Sequence, residues 1–115
     1  MIARTWRGWV RSADTADYVR YVEETGMAHY RRTPGNLAAH LLTHDLPDGR
    51  TEVLTFSLWT SEDAVRAFAG DDIERAVFYP EDERFLVARD HHVTHYEVVA
   101  ADGLAAAAPP AAVRP

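Results

Sequence analysis

The sequence predicts an α+β domain built as β-α-β-β-α-β, with a four-stranded antiparallel sheet and both helices on one face. Three observations lead there. Residues 37–44 and 51–59 are apolar-rich runs separated by Leu46-Pro47-Asp48-Gly49-Arg50, the strongest hairpin signal in the chain. An amphipathic helical stripe lies on each side of that hairpin. Strand-like runs rich in β-branched and aromatic residues begin and end the pattern.

The elements follow in order. Residues 2–10, IARTWRGWV, read as the first strand. Ser12 or Asp14 is placed to cap a helix whose apolar stripe is Tyr18, Val19, Tyr21 and Val22. Gly26 ends or bends that helix, and MAHYRR adds a turn before the break at Thr33-Pro34-Gly35-Asn36. After the hairpin, Thr60 or Ser61 opens a second helix with Glu62 and Asp63 in its first turn, Val65 and Phe68 inward, and Gly70 as the stop. A short helical piece is expected from Asp72 to Phe78, halted by Pro80, and then a turn anchored by Phe85 and Leu86. The last strand is expected over His91 to Ala100. Residues 1–100 thus form one domain of the split βαβ, or ferredoxin-like, arrangement. Residues 101–115 are Ala/Pro-rich and read as a disordered tail.

If Leu46 pairs with Arg50, the register sets His40 opposite Phe56 and Leu42 opposite Leu54. Ala38, Leu42, Leu54, Phe56 and Leu58 then share one side, while Leu37, Ala39, Leu41, Val53 and Trp59 share the other. Helices on one face cover only one of these sides. Leaving four large side chains in water forfeits about 1.5–3 kcal/mol each, a sum comparable to the stability of a small domain. A homodimer packed sheet to sheet through the open face is the expected remedy.

Bulk properties exclude several classes. The 115 residues carry a formal charge of −6, and all twelve Lys+Arg positions are arginine. An acidic chain without a basic run is a poor ligand for nucleic acid. It contains no cysteine, which removes disulfides, thiolate metal sites and a cysteine nucleophile. Neither a signal-peptide core nor a membrane-length apolar segment is present in it, so a cytoplasmic protein without membrane contact is expected. No phosphate loop and no GxSxG elbow occur.

The stretch RDHHVTHYEVV places three histidines within five positions. In a strand His91 and His95 face one way and His92 the other, and four strand residues span roughly 13 Å. Two ligands of one zinc sit about 3–4 Å apart, so no metal site is expected. His91 and His92 belong to a solvated strand start. His95 and Tyr96 lie deeper, and one of them should face a buried environment. His40, opposite Phe56, needs a polar partner. His40 and His95 are therefore the candidate bases, since imidazole titrates near neutrality. Thr55, Ser57 and Trp59 share one strand face and supply two hydroxyls and an aromatic wall. Tyr18, Tyr21, Phe68 and Tyr79 can complete an apolar cleft for a flat aromatic ligand. Arg4 and Trp6 share a face, and if it turns inward the guanidinium can hold a phenolate or carboxylate.

With this topology, ARTWRG, FSLWTSEDAVRAFAG, FYPEDERFL and HYEVV resemble segments of the antibiotic biosynthesis monooxygenase family, across most of residues 2–99. The resemblance implies a dimeric α/β barrel, a scaffold shared by cofactor-free oxygenases, quinol oxygenases, haem-degrading enzymes, cyclases and proteins without demonstrated activity. Trp59 matches a pocket tryptophan of several members, and Thr55 stands where cofactor-free members often carry asparagine. Haem-degrading members need a histidine inside the second helix, and Ala64 to Gly70 contain none.

The leading expectation is a cofactor-independent monooxygenase that oxidises an electron-rich aromatic or polyketide-like phenol or hydroquinone with molecular oxygen. In it His40 or His95 is the base, Thr55 and Trp59 are catalytic, and Arg4, Trp6, Ser57, Phe68, Tyr79 and Tyr96 contact a small aromatic ligand. No cofactor is expected. The alternatives are a polyketide cyclase or isomerase on the same scaffold and a non-catalytic dimeric binding protein.

Overall fold

Hairpin chemistry sets the frame. In the computed structural model, which describes residues 1–103, Leu46 N–H donates to the Arg50 carbonyl at 2.8 Å. Strands β2 (Asn36–Asp45) and β3 (Arg50–Trp59) run back from that turn with His40 opposite Phe56 and Leu42 opposite Leu54. This is the register the turn residues predict. β1 (Ile2–Arg11) lies along the other side of β3, with Arg4 opposite Ser57 and Trp6 opposite Thr55.

The helical layer follows the sequence signals. A 3-10 turn at Ser12–Asp14 leads into α1 (Thr15–Glu24), and α2 (Gly26–Arg32) starts at the glycine after a one-residue break. Neither Ser12 nor Asp14 caps α1. The Ser12 hydroxyl pairs with that of Thr51 at 2.8 Å, and the Asp14 carboxylate accepts from Arg11. By contrast α3 (Glu62–Ala69) is capped as expected: Ser61 Oγ accepts from Ala64 N–H at 3.1 Å, and Gly70 ends it at φ +89°.

Two expectations fail beyond α3. The segment from Asp72 to Phe78 is not helical. Its backbone pairs instead with a distant part of the chain: Ala76 N–H donates to His91 O and Val93 N–H to Glu74 O, each at 2.9 Å. That pairing also interrupts the last strand. The expected run over His91 to Ala100 is reduced to β5 (Thr94–Glu97), and the expected turn at Phe85 and Leu86 is instead α4 (Asp82–Phe85) leading into β4 (Leu86–Arg89). β4 pairs with Gly8 to Val10 and β5 with Ile2 to Thr5, so the two short strands share one edge of β1. The sheet order is β2-β3-β1-β4, with β5 also paired to β1. Five strands therefore fill the four expected positions, and the α+β ferredoxin-like class stands. The sheet is open. Most of the tail, residues 104–115, lies outside the described residues.

The core between sheet and helices gathers Val10, Tyr18, Tyr30, Val53, Trp59, Val65, Phe68 and Phe85, all buried. The opposite face carries Leu42 and Tyr96, exposed at 49% and 55%, beside half-buried Leu54 and Phe56. Leu58, on the same face and expected to need a partner sheet to cover it, is already buried within the single chain, as is Ala3 opposite it. Among the described residues no helix is long and apolar enough to cross a membrane.

Candidate functional site

A cleft opens between the helix-facing side of the sheet and the layer of α1, α2, α3 and the irregular chain at 76–79. Its cavity volume is about 50 Å³. The alternation of β1 and β3 sets its floor, since Arg4, Trp6 and Thr55 point to the helix side while Ala3, Thr5 and Phe56 point away. Phe68 and Tyr79 form part of its wall.

Arg4 dominates the site. Only 3% exposed, it donates to the Ile73 carbonyl at 2.6 Å and the Arg75 carbonyl at 3.2 Å, and contacts His95 Nε2 at 2.9 Å. The turn that was expected to be helical is thus what supplies acceptors for this buried cation. Its guanidinium also lies over the Phe68 ring, 5.7 Å from the centroid. No carboxylate pairs with it among the described residues. Burial lowers its pKa from the ordinary value, offset in part by the phenols of Tyr30 and Tyr79. Guanidinium remains charged under such a shift, so the cleft holds a desolvated positive charge balanced only by dipoles.

The contact with Arg4 fixes the chemistry of His95. Guanidinium only donates, so His95 Nε2 accepts and the ring is neutral with its proton on Nδ1. Burial first, and the Arg4 charge second, lower its pKa. His95 faces the helix side opposite Arg4, whereas its neighbour Tyr96 lies on the open face. His40 is also on the open face, exposed, with its ring edge-on to Phe56 at 6.3 Å. The structure therefore brings Arg4, Trp6, Thr55, Phe68 and Tyr79 to the cleft, sets His95 behind Arg4, and keeps His40 and Tyr96 across the sheet. Ser57 and Trp59 are fully buried behind the wall. There the Trp59 indole N–H donates to Ser57 Oγ at 2.9 Å, and its ring sits 5.4 Å from Phe68.

Three residues not singled out from the sequence belong here. Asp82, in a run that reads as a solvated turn, is 4% exposed and lines the cleft. Its carboxylate accepts from Tyr18 Oη at 2.9 Å and Tyr79 N–H at 2.7 Å. Burial raises its pKa above the usual carboxylate value, opposed by those two hydrogen bonds. The signal was present in Tyr79-Pro80-Glu81-Asp82, since a carboxylate three residues on reaches back to a free N–H at a helix start. Tyr30 lines the cleft and stacks on Phe68 at 4.7 Å. His29 Nδ1 lies 2.7 Å from Tyr79 Oη. Among the described residues no group of three or more His, Cys, Asp or Glu is arranged to hold a metal ion.

No sequence-family description and no curated protein matches the chain. Solved structures do. A Bacillus cereus protein, described provisionally as an antibiotic biosynthesis monooxygenase, aligns at TM-score 0.63 and 16% identity over 89% of this chain and 96% of its own. Rv0793 from Mycobacterium tuberculosis aligns at 0.59 and 18%, covering 89% and 98%. A monooxygenase from the gene ActVA-Orf6 of Streptomyces coelicolor, in complex with nanaomycin D, aligns at 0.56 and 19%, covering 88% and 89%. At such identities the likeness is one of fold. The chain has the ferredoxin-like fold of the antibiotic biosynthesis monooxygenase structures, as its sequence segments lead one to expect.

Proposed function

We propose that the protein is a cofactor-independent monooxygenase that binds an electron-rich phenol, hydroquinone or polyketide-like enol as its oxyanion and lets it reduce molecular oxygen directly. The buried Arg4 guanidinium, open to the cleft and without a carboxylate partner among the described residues, carries this reading. A buried charge left to dipoles alone is costly, and an anionic ligand oxygen completes it. The same contact lowers the pKa of the ligand hydroxyl, and a phenolate gives up an electron more readily than a phenol. Thr55, opposite Trp6 on the cleft floor, adds a hydroxyl donor. His95 keeps the guanidinium aimed. The S. coelicolor monooxygenase, crystallised with nanaomycin D on this fold, supports the choice of ligand class.

For an anthrone-type ligand the balance is simple. One oxygen atom of O₂ becomes the new ring carbonyl, and the other leaves as water with the two hydrogens of the oxidised methylene. A fused-ring ligand requires the cleft to widen, and the irregular chain at 76–79 is the wall able to yield. Metal-free protein is expected to consume one O₂ per anthrone or naphthohydroquinone converted. Absence of uptake across a panel of both would contradict the reading.

The proposal includes a homodimer through the open sheet face, where Leu42 and Tyr96 stand in solvent beside Leu54 and Phe56. Covering each gains up to about 1.5–3 kcal/mol. Two such faces together would close the barrel that a single copy leaves open. Sedimentation at micromolar concentration should report twice the chain mass; a single subunit would refute the dimer.

A further inference from the structure

The proposed oxidation needs a group to take the ligand's hydroxyl proton, and the six histidines can be sorted by place. His40 and His44 sit on the edge strand β2, both exposed, and His40 faces away from the cleft. His91 and His92 are exposed in the break between β4 and β5. His95 already accepts from Arg4, and protonating it would lose that contact and set two cations side by side.

His29 remains. It is half-buried on α2, with its ring 4.3 Å from that of Phe68 and its Nδ1 2.7 Å from the hydroxyl of Tyr79, a cleft residue. We infer that Tyr79 and His29 form a two-step proton relay for the ligand, an inference that rests on the cleft being a phenol-oxidising site. The ligand O–H bond breaks as its proton passes to Tyr79 Oη. In concert the Tyr79 O–H bond breaks and that proton passes to His29 Nδ1. The products are a phenolate beside Arg4 and an imidazolium at His29, with Tyr79 a neutral phenol before and after.

The surroundings suit this direction of transfer. Burial, and then the Arg32 charge on the same helix, lower the His29 pKa, so the resting ring is neutral, and the oxyanion formed as the proton leaves the ligand offsets both effects on the imidazolium. Burial, with Tyr30 and Asp82 nearby, raises the Tyr79 pKa, so the phenol conducts a proton rather than losing it to solvent. Phe68, the other neighbour of the ring, is uncharged. The new imidazolium forms on the far side of Tyr79 from the ligand, and its charge favours the nearby oxyanion.

The test follows protons rather than turnover. 4-Nitrophenol fits a one-ring site and turns yellow as its anion. Below its own pKa, titration calorimetry in two buffers of different ionisation enthalpy counts the protons released as it binds. Wild-type protein is expected to bind the yellow anion and release almost no proton, because His29 retains it. His29→Gln and Tyr79→Phe are each expected to release about one proton per anion bound, and either variant suffices where the other fails to fold. Equal release by wild type and both variants overturns the relay and leaves the oxyanion site standing. Failure of the wild-type protein to bind the anion overturns the functional reading, and the relay with it.

Discussion

Arg4→Gln is expected to lower oxygen uptake by about 100-fold or more at saturating ligand while leaving the fold intact. Removing one oriented donor to a developing oxyanion typically costs two to three orders of magnitude in rate, and Arg4 supplies a full charge from a site only 3% exposed. Glutamine keeps an amide donor for one of the Ile73 and Arg75 carbonyls, which limits the loss of stability to about 1–3 kcal/mol. Arg4→Lys should recover only part of the activity, because one ammonium cannot span three acceptors in the planar geometry of guanidinium. A second readout is independent of turnover. The Arg4 charge is one of the two causes that depress the His95 pKa, burial being the larger. Taking the cation away favours imidazolium, so the His95 pKa followed by NMR should rise toward its ordinary value in Arg4→Gln. An unshifted titration would mean that the Arg4–His95 contact does not persist in solution.

The largest effect on stability is expected at Gly35. Its φ is +92°, and a Cβ built there would lie 2.5 Å from Ala64 Cβ and 3.0 Å from Thr60 Oγ1. Both neighbours are fixed. The Thr60 N–H is bonded to the Gly35 carbonyl at 2.9 Å, and Ala64 sits in the first turn of α3, held by Ser61. Gly35→Ala should therefore cost about 3 kcal/mol in urea unfolding, combining left-handed strain with overpacking. This is a sizeable fraction of the about 5–15 kcal/mol available to a domain of this kind. Adding Ala64→Gly removes the collision but not the strain, so the double variant should regain part of the loss. A Gly35→Ala protein as stable as wild type would show that α3 can move away from the start of β2.

What the sequence revealed was what local chemistry decides. Pro47, Asp48 and Gly49 set the hairpin and hence its register, which holds from the turn back to Ala38 opposite Leu58, where a bulge sets Asn36 rather than Leu37 opposite Trp59. Ser61 and Gly70 bounded α3 for reasons contained within a few residues. Strand period placed Arg4 and Trp6 on one face of β1, and the structure turns that face to the helices. The losses were non-local. Residues 72–78 have helical composition, but their backbone groups pair with His91 and Val93, and their carbonyls serve Arg4. That pairing accounts for both the missing helix and the late start of the final strand at Thr94. Asp82 was hidden in a charged run because its burial depends on Tyr18, which comes from a distant part of the chain. His29 escaped notice for the same reason, since its partner lies fifty residues away.

The central claim is that Arg4 awaits an anionic oxygen in the cleft between sheet and helices. A crystal structure of the protein with 4-nitrophenol tests it most directly. The account expects the phenolate oxygen within about 3 Å of the Arg4 guanidinium, with the ring between Trp6 and Phe68. A ligand lying instead against Leu42 and Tyr96 on the open face, with Arg4 touching only Ile73, Arg75 and His95, would contradict it.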